Sequence, residues 1–434
     1  MNTEIIGVIG LVAMFMLLAI GMPIAFSLAF VSFLGILVVG GWEMAMGYLS
    51  FAPFTVVAEY LWIVIPLFIL MGNLAYVSGL TTDIYDFANH WLGRLPGGLA
   101  VATIGGCAGF AACTGSSAAS VGVITATALP QMKRHNYDNR LASGCIAAGT
   151  TLGILIPPSI PMVVYGLFAG ASIGRLFMAG IIPGVMLASF FVLTITIWVK
   201  LNPSAGPRGP IVTWRKKLSA FKSIWSGILL AAIVLIGIWG GIFTPIEAGG
   251  IGALVAFLIA CARRRLNKKS FTKTLKDTVR ISVMVMTILV GAMLFNYFIA
   301  LTRLPHALAN FVTNLPVPPE YILIAIMLFY LVSGCLIDVL GLMLLTLPIF
   351  IPIIKTLGID VILFGVLTTI AVEMAQITPP IGMNVFILHG MAPDVPMYDV
   401  FRGIVPFLLC MILCVALIIA FPKIALLLPS TMIR

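Results

Sequence analysis

The chain has 434 residues, of which 61% are hydrophobic and only 9% are charged, and its mean hydropathy is +1.18. No water-soluble domain of this length is so apolar, so a soluble enzyme or binding module is excluded and a polytopic membrane protein is indicated. The formal net charge of +10 is concentrated in a few loops, which argues against a nucleic-acid partner.

Three apolar runs open the chain, at residues 5–20, 24–39 and 54–77. The first lacks a basic leader and a small-residue cleavage site. It continues across Gly21-Met22-Pro23 into the second run. We therefore interpret it as a retained span and not as a signal peptide.

Basic loops orient these spans in the membrane. Lys and Arg cluster within residues 131–140, 200–222 and 262–277. Short loops rich in these residues stay in the cytoplasm. This assignment predicts that both termini lie on the external, periplasmic side.

The apolar stretch 97–130 begins near Arg94 and ends at Lys133 and Arg134, so both of its ends are predicted to be cytoplasmic. Its middle, "CTGSSAAS", is too polar for a lipid-facing helix. Two ordinary spans need about 20 apolar residues each, which this stretch hardly supplies. It therefore favours a re-entrant helical hairpin that turns at Gly115-Ser116-Ser117.

The next span is interrupted by "GILIPPSIPMVVYG", residues 153–166. Proline has no N–H to donate and clashes with the carbonyl one turn back, so a continuous helix cannot pass through Pro157 and Pro158. A transmembrane helix broken at mid-depth is predicted. The span at 176–199 then returns to the cytoplasm, which gives five crossings in this half.

The chain repeats after 222 residues. Pro23 then aligns with Pro245, Pro130 with Pro352, and the pair Pro157-Pro158 with Pro379-Pro380. The apolar spans also correspond, at 227–242, 246–261 and 276–299. Because a unit of five crossings must be inserted the opposite way up in its second copy, we predict an inverted repeat.

The second copy contains its own hairpin, at 320–354, and its own break, "EMAQITPPIGMNVFILHG", at 373–390. Each break frees backbone carbonyls at the end of one half-helix, and such oxygens suit Na⁺. The N-terminus of the following half-helix suits a substrate carboxylate. The paired breaks therefore predict ion and substrate sites near the middle of the bilayer.

Pairing the two copies assigns residues to these sites. The candidate sodium ligands are Ala112, Ser116, Gly153, Ile156 and Pro158 in the first copy, and Gly334, Ala375, Thr378 and Ile381 in the second. The candidate substrate contacts are Thr114, Ser117, Ser159, Asp338 and Asn384. For any single Ser or Thr, a hydrogen bond back to its own helix is the alternative role.

Few ionisable residues lie within the apolar stretches: Glu59, Glu247, Asp338, Glu373 and His389. Such groups are costly in hydrocarbon and often mark an ion or proton path. We interpret Glu59, Glu247 and His389 as interfacial or helix-capping residues. Asp338 is the leading candidate for a proton path.

The motifs "CTGSSAASVGVI", "AAGTTLGILIPPSIPMVVYG" and "EMAQITPPIGMNVF", in this order, resemble the large membrane subunit of TRAP (tripartite ATP-independent periplasmic) transporters over nearly the whole chain. The resemblance implies Na⁺-driven import of an organic acid. It also implies two partners, a periplasmic substrate-binding protein and a small four-helix membrane subunit, in a bacterial inner membrane.

The resemblance further implies an elevator architecture, in which a scaffold holds still while hairpins and broken helices carry the substrate. The first repeat, 1–222, would comprise scaffold helices (1–79), an arm helix (80–94), a cytoplasm-opening hairpin (95–130), and a broken helix with the following span (141–199). The second, 223–434, would comprise scaffold helices (223–300), an arm helix (301–316), a periplasm-opening hairpin (317–355), and a broken helix with the last span (360–428).

Other functional classes fit less well. A stand-alone sodium- or proton-coupled dicarboxylate carrier shares the inverted-repeat plan and stays an alternative. A channel would need a continuous polar pore, and an intramembrane enzyme would need a motif such as HExxH, which the four histidines do not form. No P-loop is present for ATP. The choice among dicarboxylates, sugar acids and sialic acid is left open by the residues.

Overall fold

The computed structural model describes residues 3–209 and 212–432, without the side chains of residues 112–114. Within these ranges every regular element is a helix. Eight helices are long and apolar enough to cross a membrane, and the bent pair 139–155 with 160–169 would add a ninth span. The prediction of an all-helical, multi-span membrane protein is therefore confirmed.

The helices at the start of the two repeats pack together and form the first block of the molecule. Within it, α2 packs along α13, and α3 packs along α12. The bounds are α1 (Thr3–Ala19), α2 (Ile24–Ala58), α3 (Val64–Val77), α11 (Trp214–Trp239), α12 (Pro245–Ala262) and α13 (Lys268–Leu301).

The start of this block differs from the sequence prediction, which placed a connection between residues 39 and 54. Helix α2 instead runs on to Ala58 and is interrupted only at Gly41, whose φ of 81° is a left-handed conformation that glycine adopts without strain. A 3₁₀ turn, Tyr60–Ile63, precedes α3. Pro66 lies in the first turn of α3, where no N–H is needed.

The remaining helices form the two predicted hairpins, the two predicted broken helices and the spans after them. Two short helices, α4 and α14, connect them to the first block. The bounds are α4 (Leu80–Leu92), α5 (Gly98–Thr114), α6 (Ser117–Arg134), α7 (Asn139–Gly149), α8 (Leu152–Leu155), α9 (Ile160–Ala169), α10 (Ile173–Leu201), α14 (Leu304–Thr313), α15 (Pro319–Ser333), α16 (Val339–Thr356), α17 (Val361–Ile377), α18 (Met383–Met391), α19 (Met397–Ala420) and α20 (Lys423–Ser430).

The sequence repeat is visible in the backbone. Helix α6 and helix α16 have the same length and begin 222 residues apart. Their N-caps, Ser116 and Asp338, are equivalent positions, and each side chain accepts a backbone N–H. Both proline pairs, 157–158 and 379–380, are joined by cis peptide bonds. The division set between residues 222 and 223 falls inside α11, whose first turns carry the basic residues of the preceding loop.

The two repeats interlock. Helix α6, the second helix of the first hairpin, packs against α18, which follows the break of the other repeat. Helix α16 of the second hairpin packs in the same way against α9, which follows the first break. Each hairpin also packs against the helix that leads into its own break. Hairpin tips and breaks therefore gather at one packed centre.

The short helix α4 is amphipathic. Its buried residues Leu80, Ile84, Tyr85 and Ala88 recur at helical spacing and face α5 and α11. The guanidinium of Arg263, at the end of α12, forms an ion pair with Asp83 on the polar side of α4. The short helix is therefore held to the first block by the ion pair and by apolar packing on α11, and to the first hairpin by apolar packing on α5.

Candidate functional site

The tip of the first hairpin touches the first break. Gly115 has a φ of 62°, and a Cβ at this position would lie 2.5 Å from the carbonyl oxygen of Pro158, so only glycine fits. The N–H of Ile160 donates to the carbonyl of Gly115 at 3.4 Å. The backbone of the tip and the backbone of the break are thus in direct contact.

A hydroxyl oxygen and a carbonyl oxygen lie beside this contact. A Cβ on Gly153 would lie 3.1 Å from Oγ of Ser120 and 3.3 Å from the carbonyl oxygen of Ser116. The Ser120 hydroxyl donates to that same carbonyl at 2.7 Å. Five predicted residues of the first site lie at this junction: Ser116, Gly153, Ile156 (which directly follows α8), Pro158 and Ser159.

The serines at this junction also cap helices. Ser116 Oγ accepts the N–H of Ala119, and Ser159 Oγ accepts the N–H of Met162 at the start of α9. Ser159 is buried. Ala112 and Thr114 lie at the end of α5, in the short stretch whose side chains are outside the described part, so their placement is not tested.

The second junction has its own close contact. A Cβ on Gly334 would lie 2.6 Å from the Cβ of Ala375, so the end of α15 meets α17 with no side chain between them. The amide of Gln376 donates to the carbonyls of Gly334 and Ile337, both at 3.3 Å. This glutamine holds the second hairpin tip against the helix that leads into the break.

Thr378 directly follows α17, and its hydroxyl donates to the carbonyl of Met374 at 2.6 Å. The hydroxyl thus makes the local bond that is usual for threonine in membrane helices, and its oxygen keeps lone pairs for a cation. Ile381 is exposed at the break. Asn384, on α18, is buried, and its Nδ2 has no hydrogen-bond partner among the described residues.

Asp338 caps α16. Its carboxylate accepts the N–H groups of Leu340 and Gly341 at 3.1 and 3.2 Å. It lines a cavity of about 560 Å³ between the second hairpin tip, the break and the first block of helices. The other lining residues include Pro23, Thr287, Leu336, Ile337 and Met383.

A hydrogen bond joins the two junctions. The hydroxyl of Ser117, at the first hairpin tip, donates to Oε1 of Glu373 on α17 at 3.0 Å. Both side chains are buried. The first hairpin is therefore bonded to the helix that leads into the second break.

Sequence reasoning noted Glu373 before the break but assigned it no role, and it missed Gln376. Neither residue is retained in the other repeat, where the equivalent positions are Thr151 and Ile154. Pairing the two copies favours features that both share, so it passes over residues present in one copy only. Polarity next to the double proline is the signal that could have found them.

Ion pairs lie at the ends of these helices. Lys133 at the end of α6 pairs with Asp394, which follows α18. The hydrogen bond from the Lys133 ammonium lowers the pKa of the Asp394 carboxyl below its usual value. Arg140 Nε lies 3.0 Å from the carboxylate of Asp399. Both pairs join the first repeat to the second.

Known proteins are similar to this chain in sequence and in fold. A C4-dicarboxylate TRAP transporter large permease protein from Pseudomonas aeruginosa is 34% identical over 86% of this chain and 87% of its own length. An isethionate TRAP transporter permease protein, DctMQ, from Oleidesulfovibrio alaskensis is 32% identical over 86% of this chain and 59% of its own length. The crystal structure of the Alcanivorax borkumensis YdaH transporter, described as having an unusual topology, superposes with a TM-score of 0.63. It covers 86% of this chain and 88% of its own at 16% identity, which shows a shared fold.

The match to a protein family is equally broad. Residues 11–424 match the family described as the tripartite ATP-independent periplasmic transporter, DctM component. The relatives are transporter permeases and not enzymes. The chain therefore belongs to the DctM family, the large membrane permease components of TRAP transporters.

Proposed function

We propose that this permease imports an organic acid, driven by sodium, by an elevator movement of its hairpins and broken helices. The observation that carries the proposal is the meeting of both hairpin tips with both helix breaks at one centre. The hairpins and the broken helices would hold a substrate and its coupling ions at this centre and would move together as one body.

Backbone oxygens support the sodium sites. In the first junction, the carbonyl oxygen of Ser116 and the hydroxyl oxygen of Ser120 lie beside Gly153, which has no side chain of its own. In the second, Gly334 packs against the Cβ of Ala375, and the hydroxyl oxygen of Thr378 lies directly after α17. Carbonyl and hydroxyl oxygens at the breaks of membrane helices are suitable ligands for Na⁺.

An acidic substrate is supported by two features. Asn384 has a buried amide donor without a partner in the described structure, and it lies in the first turn of α18, at the positive end of a half-helix. The relatives above carry C4-dicarboxylates and isethionate, which are anions. We therefore propose a small organic acid, with Asn384 as one of its hydrogen-bond donors.

The elevator movement would divide the molecule at the short helices. The first block of helices would be the scaffold, and the hairpins with the broken helices would be the moving part. Helices α4 and α14 contact both parts, as arms that link them would.

A TRAP permease works with a periplasmic substrate-binding protein, and usually with a small membrane subunit. The DctMQ relative is longer than this chain, which covers 59% of it, and its name joins both membrane components. We propose a separate four-helix subunit as the partner here. In the bacterial inner membrane, the basic loops would place both termini on the periplasmic side.

Uptake into proteoliposomes tests this function. The permease, its small subunit and its binding protein would be reconstituted with radiolabelled succinate, a C4-dicarboxylate, as the probe. We expect uptake under an inward Na⁺ gradient and none under a matched K⁺ gradient. Equal uptake in K⁺ would contradict sodium coupling. Uptake without the binding protein and the small subunit would support the stand-alone carrier.

A further inference from the structure

A groove runs between α15 and α19 on the outside of the molecule. Both helices pack on α17, but they make little contact with each other, and a cavity of about 460 Å³ lies between them. Leu328 on α15 and Ile412 on α19 line its walls and are 56% and 45% exposed, so the groove is open to its surroundings. Its floor is formed by Ala371 and Met374 of α17, which are buried. Exposed apolar residues on helices that span a membrane face the acyl chains of lipid.

The groove is apolar along its length and acidic at one end. Glu320 is the one charged residue among those that line it. This side chain lies at the start of α15, is exposed and forms no ion pair within the described part of the chain. Ala420, the last residue of α19, lines the same cavity. An apolar channel with an unpaired acid at its mouth suits a ligand that has an apolar body and a cationic end.

The length of the groove matches one leaflet of a bilayer. Between Glu320 and Leu331, which both line the groove, α15 rises by about 16 Å at about 1.5 Å per residue. The hydrocarbon core of a bilayer is about 30 Å thick, so one leaflet contributes about 15 Å. In the proposed orientation, in which the second hairpin opens to the periplasm, this is the outer leaflet. The groove is therefore as long as the acyl-chain region of a single phospholipid.

The inner end of the groove reaches the second junction. Met374 directly precedes Ala375, whose Cβ lies against Gly334 at the hairpin tip. Leu331, on the opposite wall, lies in the last turn of α15, just before Gly334. An acyl chain in the groove would fill the space between α15, α17 and α19. It would thereby support the contact that holds the second hairpin against α17.

We propose that this groove binds one phospholipid, with an acyl chain between α15 and α19 and a headgroup ammonium beside Glu320. Phosphatidylethanolamine has such a headgroup and no net charge. Phosphatidylglycerol has no ammonium and is anionic, so the carboxylate of Glu320 would repel it. The lipid site is separate from the proposed ion and substrate sites and does not depend on sodium coupling. Only the choice of leaflet rests on the proposed orientation.

Native mass spectrometry of the purified permease tests the headgroup preference. Phosphatidylethanolamine and phosphatidylglycerol with identical acyl chains would be offered at equal concentrations. We expect the ethanolamine adduct to exceed the glycerol adduct by up to about fivefold, the value of an exposed ion pair. The ethanolamine lipid should also raise the melting temperature more, because a ligand of the folded state stabilises it.

Two substitutions at the mouth of the groove locate this preference. Because Glu320 is exposed, Glu320→Gln should fold normally and lose the preference, and Glu320→Lys should reverse it in favour of phosphatidylglycerol. The matched control is Glu59→Gln, an exposed acid that does not line the groove, which should keep the wild-type preference. Equal adducts of the two lipids in the wild type, or a preference that Glu320→Gln leaves unchanged, would overturn the proposal.

A variant that fills the groove tests the position of the acyl chain. Ala416 is exposed on α19 and lines the groove, so Ala416→Trp should reduce the number of bound lipids by one. Leu193→Trp is the control, on an exposed position of α10 outside the groove, and should bind as many lipids as the wild type. Undiminished binding in Ala416→Trp would contradict the groove as the site. If Ala416→Trp instead releases the small subunit from the purified complex, the occupant is a protein and the proposal is wrong. If Ala416→Trp fails to fold, the comparison of Glu320→Gln with Glu320→Lys still decides the question.

Discussion

Gly144 on α7 and Gly403 on α19 meet backbone to backbone: a Cβ on Gly144 would lie 2.4 Å from the carbonyl oxygen of Gly403. A Cβ on Gly403 would lie 2.0 Å from the carbonyl oxygen of Arg140. In a membrane, small residues let helices approach closely, and dispersion and packing then hold them together. This crossing is where the broken helix of the first repeat joins the last long helix of the second.

The first prediction follows from this crossing. Gly403→Ala should lower the free energy of unfolding by about 1–3 kcal/mol, because the new methyl group would force the two helices apart. Thermal unfolding in detergent would measure the loss. Gly47→Ala is the control, since a Cβ there meets nothing within 4 Å. Equal melting temperatures for Gly403→Ala and the wild type would contradict the close packing.

The second prediction concerns the proposed sodium sites. A ligand that binds only the folded state raises stability with its concentration. We expect NaCl to raise the melting temperature in a saturable way, while KCl and choline chloride at matched ionic strength do not. Gly153→Leu should weaken the sodium effect, because its side chain would fill the space beside the Ser116 carbonyl.

The matched control is Gly122→Leu, on α6 of the first hairpin, where the nearest atom to a new Cβ is 3.8 Å away. If Gly153→Leu does not fold, the smaller Gly153→Ala can replace it. An unchanged sodium midpoint in the Gly153 variants would remove this glycine from the site. If NaCl and KCl raise the melting temperature of the wild type equally, specific sodium binding is contradicted.

The third prediction is a pH effect at the Lys133–Asp394 pair. Because the folded-state pKa of Asp394 is lowered, its ionisation contributes stability above its unfolded pKa of about 3.9, and this is lost as the pH falls through the folded value. Asp394→Asn should therefore melt below the wild type at neutral pH. The difference should vanish in acid.

Because both side chains are partly exposed, choline chloride should shrink the difference by screening. In a Lys133→Gln background, Asp394→Asn should have little further effect. A difference between wild type and Asp394→Asn that persists at the lowest pH would show that the pair is not its cause.

The fourth prediction concerns the attachment of α4. Arg263 donates to the Asp83 carboxylate, to the Ser223 carbonyl at 2.9 Å and to Ser226 Oγ at 2.6 Å. Lysine keeps the charge but has one ammonium on a flexible stem in place of the planar fork. Arg263→Lys should therefore cost about 1.5–3 kcal/mol, the usual value of a hydrogen bond to a charged group.

Thermal unfolding and the rate of succinate uptake would both be measured. The neighbouring Arg264→Lys is the control, because Arg264 is exposed. If Arg263→Lys matches the wild type in stability and uptake, the attachment of α4 does not depend on the hydrogen bonds of the Arg263 guanidinium.

The sequence was most informative where backbone chemistry decides the structure. Pro157-Pro158 and Pro379-Pro380 cannot continue a helix, so the two breaks could be located to within a few residues. The Gly115-Ser116 turn was found because its polarity conflicts with the apolar run around it. In contrast, the prediction ended the second span at residue 39, whereas α2 continues to Ala58. Residues 40–53 are helical, but they are less apolar than a typical span.

Contacts between distant residues could not be predicted in this way. Ser117 and Glu373 are 256 residues apart, and the repeat does not relate them: a shift of 222 takes Ser117 to Val339 and Glu373 to Thr151. Only the three-dimensional fold brings the start of α6 to α17. The role of Thr378 in bonding its own helix is likewise set by a side-chain rotamer, which the sequence leaves free.

The crossed packing of the repeats has a consequence for biosynthesis. A ribosome delivers α6 and α9 to the membrane well before α18 and α16 have been translated. Until then, the first hairpin lacks the partner for Ser117, and the faces of α6 and α9 that contact the second repeat stay uncovered. The first half of the chain is therefore an unfinished intermediate, which needs the second half to close it. Separately expressed halves should accordingly be degraded alone and rescued when both are made in the same cell.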